Sequence, residues 1–138
     1  MRNVDKYFNF MTNTKCHCCS SKSFATCCEP LLNGTKIAAT AIDLMRSRYS
    51  AYVMQHVDYL IATTHSSERK NYDREELLKW ASSATWLQLQ IIDFIENTVE
   101  FKAYFLDDHN QKQIHHELST FIFENGSWFY IDGEFFEG

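Results

Sequence analysis

All five cysteines of the chain lie within one short run, CHCCSSKSFATCC, from Cys16 to Cys28. Cys16 and Cys18 flank a single residue, and eight residues later Cys27 and Cys28 follow as neighbours. Soft thiolate sulfur is the ligand zinc prefers, and a structural zinc takes four ligands in a closed tetrahedron. One pair from a tight turn and a second after a short excursion meet that need. A disulfide framework would spread its cysteines to staple distant loops, and adjacent cysteines pair poorly on geometric grounds. The spacing therefore predicts a zinc site held by Cys16, Cys18, Cys27 and Cys28 in a reducing compartment, in preference to a redox dithiol or incidental thiols.

So short a cluster leaves most of the 138 residues to build an ordinary core. Hydrophobic residues make up 45% and aromatic residues 15%, enough for a core or cavity walled by rings. The net charge of −5 and the lack of any basic block argue against nucleic-acid or membrane-surface binding. No long apolar run suggests a membrane span, and MRNVDKYFNFMTNTK has no continuous apolar region of the kind a signal peptide needs. The expected location is the cytoplasm.

Pro30, the only proline, closes the cysteine segment, and LLNGTK (31–36) reads as a linker with a turn at Asn33-Gly34. From about Ala38 the pattern becomes helical, with Ala41, Met45, Tyr49, Tyr52, Val53 and His56 on one face. Asp58 is placed to cap a second helix, DYLIATTH, and Asp73 precedes a third, REELLKWASSA. Four strands follow: WLQLQIIDFIE, TVEFKAYFL, QIHHELSTFIFE and WFYIDGE, with a hairpin turn at Asn125-Gly126. Helices followed by an antiparallel meander make an α+β fold, with the helices covering one face of a curved sheet.

The cysteine run resembles the SEC-C motif, a short zinc finger of the form Cys-Pro-Cys-Gly-Ser-Gly-x-x-Phe-x-x-Cys-Cys. The chain matches it at Cys16, Cys18, Ser20, Phe24, Cys27 and Cys28, and departs from it at His17, Cys19 and Ser21. Cys19 and Ser21 stand where the motif has glycine, which points to a turn with unusual dihedrals. His17 and Cys19 also offer a spare imidazole and a spare thiolate as ligands. Further on, LMRSRYSAYVMQHVDYLIATTH (44–65) and FENGSWFYIDGE (123–134) resemble the YchJ family of bacterial proteins. That family is similar to a SEC-C finger joined to a domain of the nuclear transport factor 2-like, or SnoaL-like, fold. The resemblance implies an N-terminal extension at 1–15, a zinc-binding motif at 16–30 and a SnoaL-like domain at 31–138. Many members carry a second finger after the domain; this sequence ends at Gly138 without one. The resemblance implies a fold and a metal, and no reaction.

The residues offer few catalytic patterns. There is no P-loop, dinucleotide glycine motif, EF-hand spacing or Ser-His-Asp order. Arg46 and Arg48, two apart on a helix, point about 200° apart, and Arg48 falls nearer the apolar stripe. It is either a cavity cation for an anionic ligand or half of a structural ion pair with Asp43 or Asp58, the more usual state of a buried charge. His65 could act as a general base beside a cavity or interact with a helix C-terminus. His115 and Glu117 share one strand face and could pair, although a solvated outer face is the commoner setting. Trp80, Trp86, Trp128, Phe129 and Tyr130 are candidates for a ring-walled pocket, or plain core.

Two functions fit. One is a zinc-binding accessory protein whose finger is an interaction module for a protein partner. The other is a small-molecule enzyme or ligand-binding protein with Arg48, Tyr49, Asp58 and His65 lining its cavity.

Overall fold

A computed structural model describes residues 14–136. Of the expected N-terminal extension, the segment also read for a signal peptide, all but Thr14 and Lys15 lies outside these residues. The cysteine run is closed by a 3-10 turn, Phe24–Thr26, and a one-turn helix α1, Glu29–Leu32. Helices α2 (Ala41–Val53), α3 (Val57–Ala62) and α4 (Arg74–Ser83) follow. Strands β1 (Thr85–Ile95), β2 (Thr98–Leu106), β3 (Lys112–Glu124) and β4 (Ser127–Phe136) complete the chain. The strands pair antiparallel in sequence order as a meander. This is the expected α+β fold. Among the described residues no helix is long and apolar enough to cross a membrane.

Local chemistry accounts for the boundaries. Pro30 sits in the first turn of α1, where its missing N–H breaks no helical bond. Thr40 caps α2 by accepting from the Asp43 backbone N–H at 3.2 Å, and Asp73 caps α4 by accepting from that of Glu75 at 2.9 Å. Asn125 (φ 53°) and Gly126 (φ 82°) both take the left-handed conformation that a two-residue hairpin requires.

Three expectations shift. Leu31 and Leu32 are not linker; they end α1 and pack against the core. Asp58 does not cap the second helix, which begins at Val57 after an N-cap at His56, whose side chain makes no cap bond. His56 itself leaves the apolar face of the preceding helix, because α2 ends at Val53.

The core forms where α2 crosses the sheet. Ala41, Leu44, Met45 and Tyr49 meet Leu89, Val99, Phe101, Ala103 and Phe121. Burying a side chain such as Phe121, 1% exposed, stabilises by about 1.5–3 kcal/mol. Cys16, Cys18 and Cys28 are buried in the same cluster, so the finger is packed on α2. A smaller cluster of Ala51, Val57, Leu60 and Leu77 holds α3 and α4 against α2.

Candidate functional site

The four expected thiols converge. The Sγ atoms of Cys16, Cys18, Cys27 and Cys28 lie within 4.8 Å of one another. Cys18 to Cys27 is 3.6 Å and Cys27 to Cys28 is 3.9 Å. A tetrahedron with metal–sulfur bonds near 2.3 Å has edges of about 3.8 Å, so the donor set fits a tetrahedral metal ion. The turn that brings the first pair in depends on Cys19 and Ser21, with φ of 63° and 72°. These are the two positions where the motif carries glycine. Cys19 is exposed and stands outside the converging set. The His17 ring rests edge-on against Phe24.

Electrostatics favours a cation there. The thiols of Cys16 and Cys28 hold that of Cys18 far below the ordinary range. Cys28 is pushed up by Cys16 and Cys18, and burial pushes Cys27 up to about 11. A metal ion supplies the charge that lets all four ionise together. The cluster is fastened to α2 by Arg46, whose Nη1 donates to the Cys18 carbonyl at 2.8 Å, and by Ser50, 3.6 Å from Cys16 Sγ.

On the far side of α2 a cavity of about 260 Å³ opens between helices and sheet. Tyr49, Tyr52, Trp80, Trp86 and Phe101 wall it, and Arg48, His115, Glu117 and Tyr130 supply its polar groups. Glu117 is buried and accepts three hydrogen bonds: from His115 Nε2 at 2.8 Å, Ser119 Oγ at 2.5 Å and Tyr130 OH at 2.9 Å. The expectation of a solvated outer face for His115 and Glu117 is overturned. The more apolar side of β3, with Ile114, Leu118 and Ile122, is the one that faces away, and Ile114 is 47% exposed. A strand that turns its polar residues inward sets aside the usual pattern in favour of a polar network inside. A register shift after Thr120 pairs Phe121 with Tyr130, so that Tyr130 and Gly133 both serve the inner face. A Cβ at Gly133 would collide with the Glu117 carboxylate and the Tyr130 hydroxyl. Burial, and then Glu117, raises the Tyr130 pKa, which keeps the phenol protonated as a donor.

With Nε2–H given to Glu117, His115 keeps Nδ1 as an acceptor, and no described residue occupies it. The set can therefore take a hydrogen bond or a proton from something in the cavity. Arg48 borders it from the helical side, 4% exposed, its guanidinium 4.6 Å from the Tyr130 ring centroid. Its Nη1 donates to Leu60 O, Thr63 Oγ1 and Thr64 Oγ1.

The middle, NTF2-like domain of YchJ matches this sequence over residues 40–133, more than half of the chain. The chain belongs to the YchJ family. A UPF0225 protein of Geobacter sulfurreducens is 39% identical over 130 residues, covering 89% of this chain and 80% of that one. The UPF0225 protein YchJ of Shigella dysenteriae is 40% identical over 124 residues, covering 86% and 81%. The solution structure of a SEC-C motif containing protein from Rhodopseudomonas palustris superposes with a TM-score of 0.81 at 36% identity, over 88% of this chain and 98% of that one. A crystal structure of a SEC-C motif containing protein from Psychrobacter arcticus gives 0.76 at 29%, over 94% and 86%.

In this YchJ-family chain the expected cavity residues separate. Arg48 and Tyr49 line the cavity. Asp58 does not: it is exposed, and Arg74 forks onto both its oxygens at 3.0 and 3.3 Å. His65 does not either; its Nε2 meets Glu124 at 2.8 Å and its Nδ1 meets Ser67 Oγ at 2.8 Å. Both lie on or after the short helix α3, which packs Val57 and Leu60 inward and leaves Asp58 outside. The ion pair expected of Arg48 is also absent; among the described residues no carboxylate lies within 4.0 Å of it. Trp80, Trp86 and Tyr130 line the cavity, whereas Trp128 and Phe129 line a separate groove. Ser119 and Tyr72, unremarked in the sequence, also reach it; the one signal was that Ser119 shares the strand face of His115 and Glu117.

Proposed function

We propose that this YchJ-family chain is a zinc-bearing, small-molecule-binding protein of the cytoplasm, in which the cavity holds the ligand and the zinc site braces the helix beside it. The observation that carries the reading is the His115–Glu117 pair, a positioned imidazole on a buried carboxylate at the wall of a ring-lined cavity. Such a convergence of a few polar groups on an apolar cavity is how small-molecule sites are built. Zinc is the ion that suits four thiolates at tetrahedral spacing, and five cysteines without a disulfide suit a reducing compartment.

The test is a titration of small cyclic compounds of mixed charge, followed by fluorescence of the cavity residues Trp80 and Trp86 and by Tm. At least one class should saturate and raise Tm, and Glu117→Gln should weaken it. No response to any class would overturn the reading.

A second reading keeps the finger as an interaction module. Beside it lies a groove of about 210 Å³ lined by Lys22, Lys36, Asp43 and Arg46, with Lys22 and Lys36 exposed. Three cations against one carboxylate suit an acidic segment of a protein partner. Pull-down with Lys22→Glu and Lys36→Glu beside the parent protein tests it; a partner retained equally by both counts against it.

A further inference from the structure

Arg48 is a buried cation with half of its fork unused. Its Nη1 holds the end of α3 through Leu60, Thr63 and Thr64. Its Nε and Nη2 make no hydrogen bond among the described residues. Neither atom is a fully buried donor without a partner, and Arg48 is one of the residues that line the cavity. Glu117 shares the cavity, but its oxygens are taken by His115, Ser119 and Tyr130 and form no ion pair with Arg48. Neutral acceptors on one nitrogen do not offset the desolvation of a guanidinium, whereas a carboxylate on the other two does so with matching geometry.

Most of the remaining wall is aromatic. Trp80 and Trp86 stand edge to face with centroids 5.5 Å apart, and Tyr49 and Tyr52 close on Trp86 at 5.9 and 5.7 Å. The cavity of about 260 Å³ exceeds the roughly 150 Å³ that accommodates benzene in a dry protein interior, so a ring with a short side chain fits.

We propose that the cavity takes a small aromatic carboxylic acid, its carboxylate on Nε and Nη2 of Arg48 and its ring among the aromatic walls. This rests on the ligand-binding reading above and names the chemistry of that site. A group on the ligand able to donate a hydrogen bond has His115 Nδ1 to receive it.

The experiment compares matched probes on the full-length protein: cinnamate, cinnamamide, cinnamyl alcohol and phenethylamine. Affinity is read by tryptophan fluorescence, and the Arg48 Nε–H resonance is followed by NMR. Cinnamate should bind about tenfold or more tighter than the amide and move the Arg48 Nε–H signal, which the neutral probes should leave in place. Arg48→Met should abolish the preference for the acid over the amide. Arg48→Lys, which keeps the charge without the fork, should retain only part of it and serves if Arg48→Met does not fold. Equal binding of acid and amide, or a preference that survives Arg48→Met, overturns the acid proposal while the ligand-binding reading stands. Failure of all four probes overturns the acid proposal; failure of the wider panel as well overturns both.

Discussion

Arg46 and Arg48 leave α2 in opposite directions and serve different sites. Arg46 donates to the carbonyl of Cys18 at 2.8 Å, while Arg48 donates to that of Leu60 at 2.9 Å and borders the cavity. Residues two apart on a helix point about 200° apart, so one helix can be fastened to the finger on one side and shape a binding site on the other. Ser50, beside Cys16 Sγ, adds a second fastening. The finger and the cavity thus both rest on α2, so a change at the cysteines is expected to be felt at the cavity.

Metal removal is expected to act on both. Protein purified without chelator should carry about one zinc per chain, because the thiols supply one tetrahedral set. Chelation or Cys18→Ser should lower Tm and weaken any cavity ligand, since ligand-set folding is coupled to the ion. Elemental analysis and thermal melts check this; metal content near zero in reduced protein would sink it.

Cys19→Gly and Ser21→Gly should each stabilise the protein by about 0.5–1 kcal/mol, since a side chain in the left-handed region is strained and glycine is not. Cys19 is exposed and outside the thiol cluster, so Cys19→Gly should leave metal stoichiometry unchanged. Chemical denaturation and metal analysis on the two variants decide it, and loss of the ion from Cys19→Gly would make that thiol a ligand.

Gly133→Ala should destabilise by roughly 1–3 kcal/mol, the range for forcing an added methyl against packed side chains. Its methyl would press on the Glu117 carboxylate and the Tyr130 hydroxyl, so the network must open. A variant as stable as the parent in urea would show that the network yields freely.

Alkaline pH should unfold the chain. Burial raises the pKa of Tyr49, Tyr52 and Tyr130 above the ordinary value of 10.0. The unfolded chain ionises these phenols first, so their contribution is full below pH 10 and is lost as pH rises beyond it. Tyrosinate absorbance and circular dichroism should change together above pH 10. Ionisation of all seven tyrosines with the fold intact would contradict the burial.

We propose that residues 31–138 fold without the finger, but less stably than the whole. Removing residues before Leu31 takes Cys16, Cys18 and Cys28 off Ala41, Leu44 and Met45, exposing apolar surface on α2. A cooperative melt at lower Tm is expected. An unfolded chain would make finger and domain one unit.

The sequence by itself determined the three longer helices, the four strands, the fold class and the metal-ligand candidates. The acidic start of α4 at Asp73, the Asn125-Gly126 turn and the four strand segments are local properties, readable within a few residues. The cysteine spacing is local too, and the strain at Cys19 and Ser21 was visible as two displaced glycines. Only the tertiary structure decided which side of β3 faces inward. Alternation gives two faces and no direction, and here the aliphatic face of Ile114, Leu118 and Ile122 points away while His115, Glu117 and Ser119 point in. The register shift that brings Tyr130 and Gly133 to that same face depends on how β4 pairs with β3. The fate of Asp58, His65 and Arg48 likewise turned on partners far along the chain or on the packing of α3, and pairing between distant segments leaves no periodic trace in a single sequence.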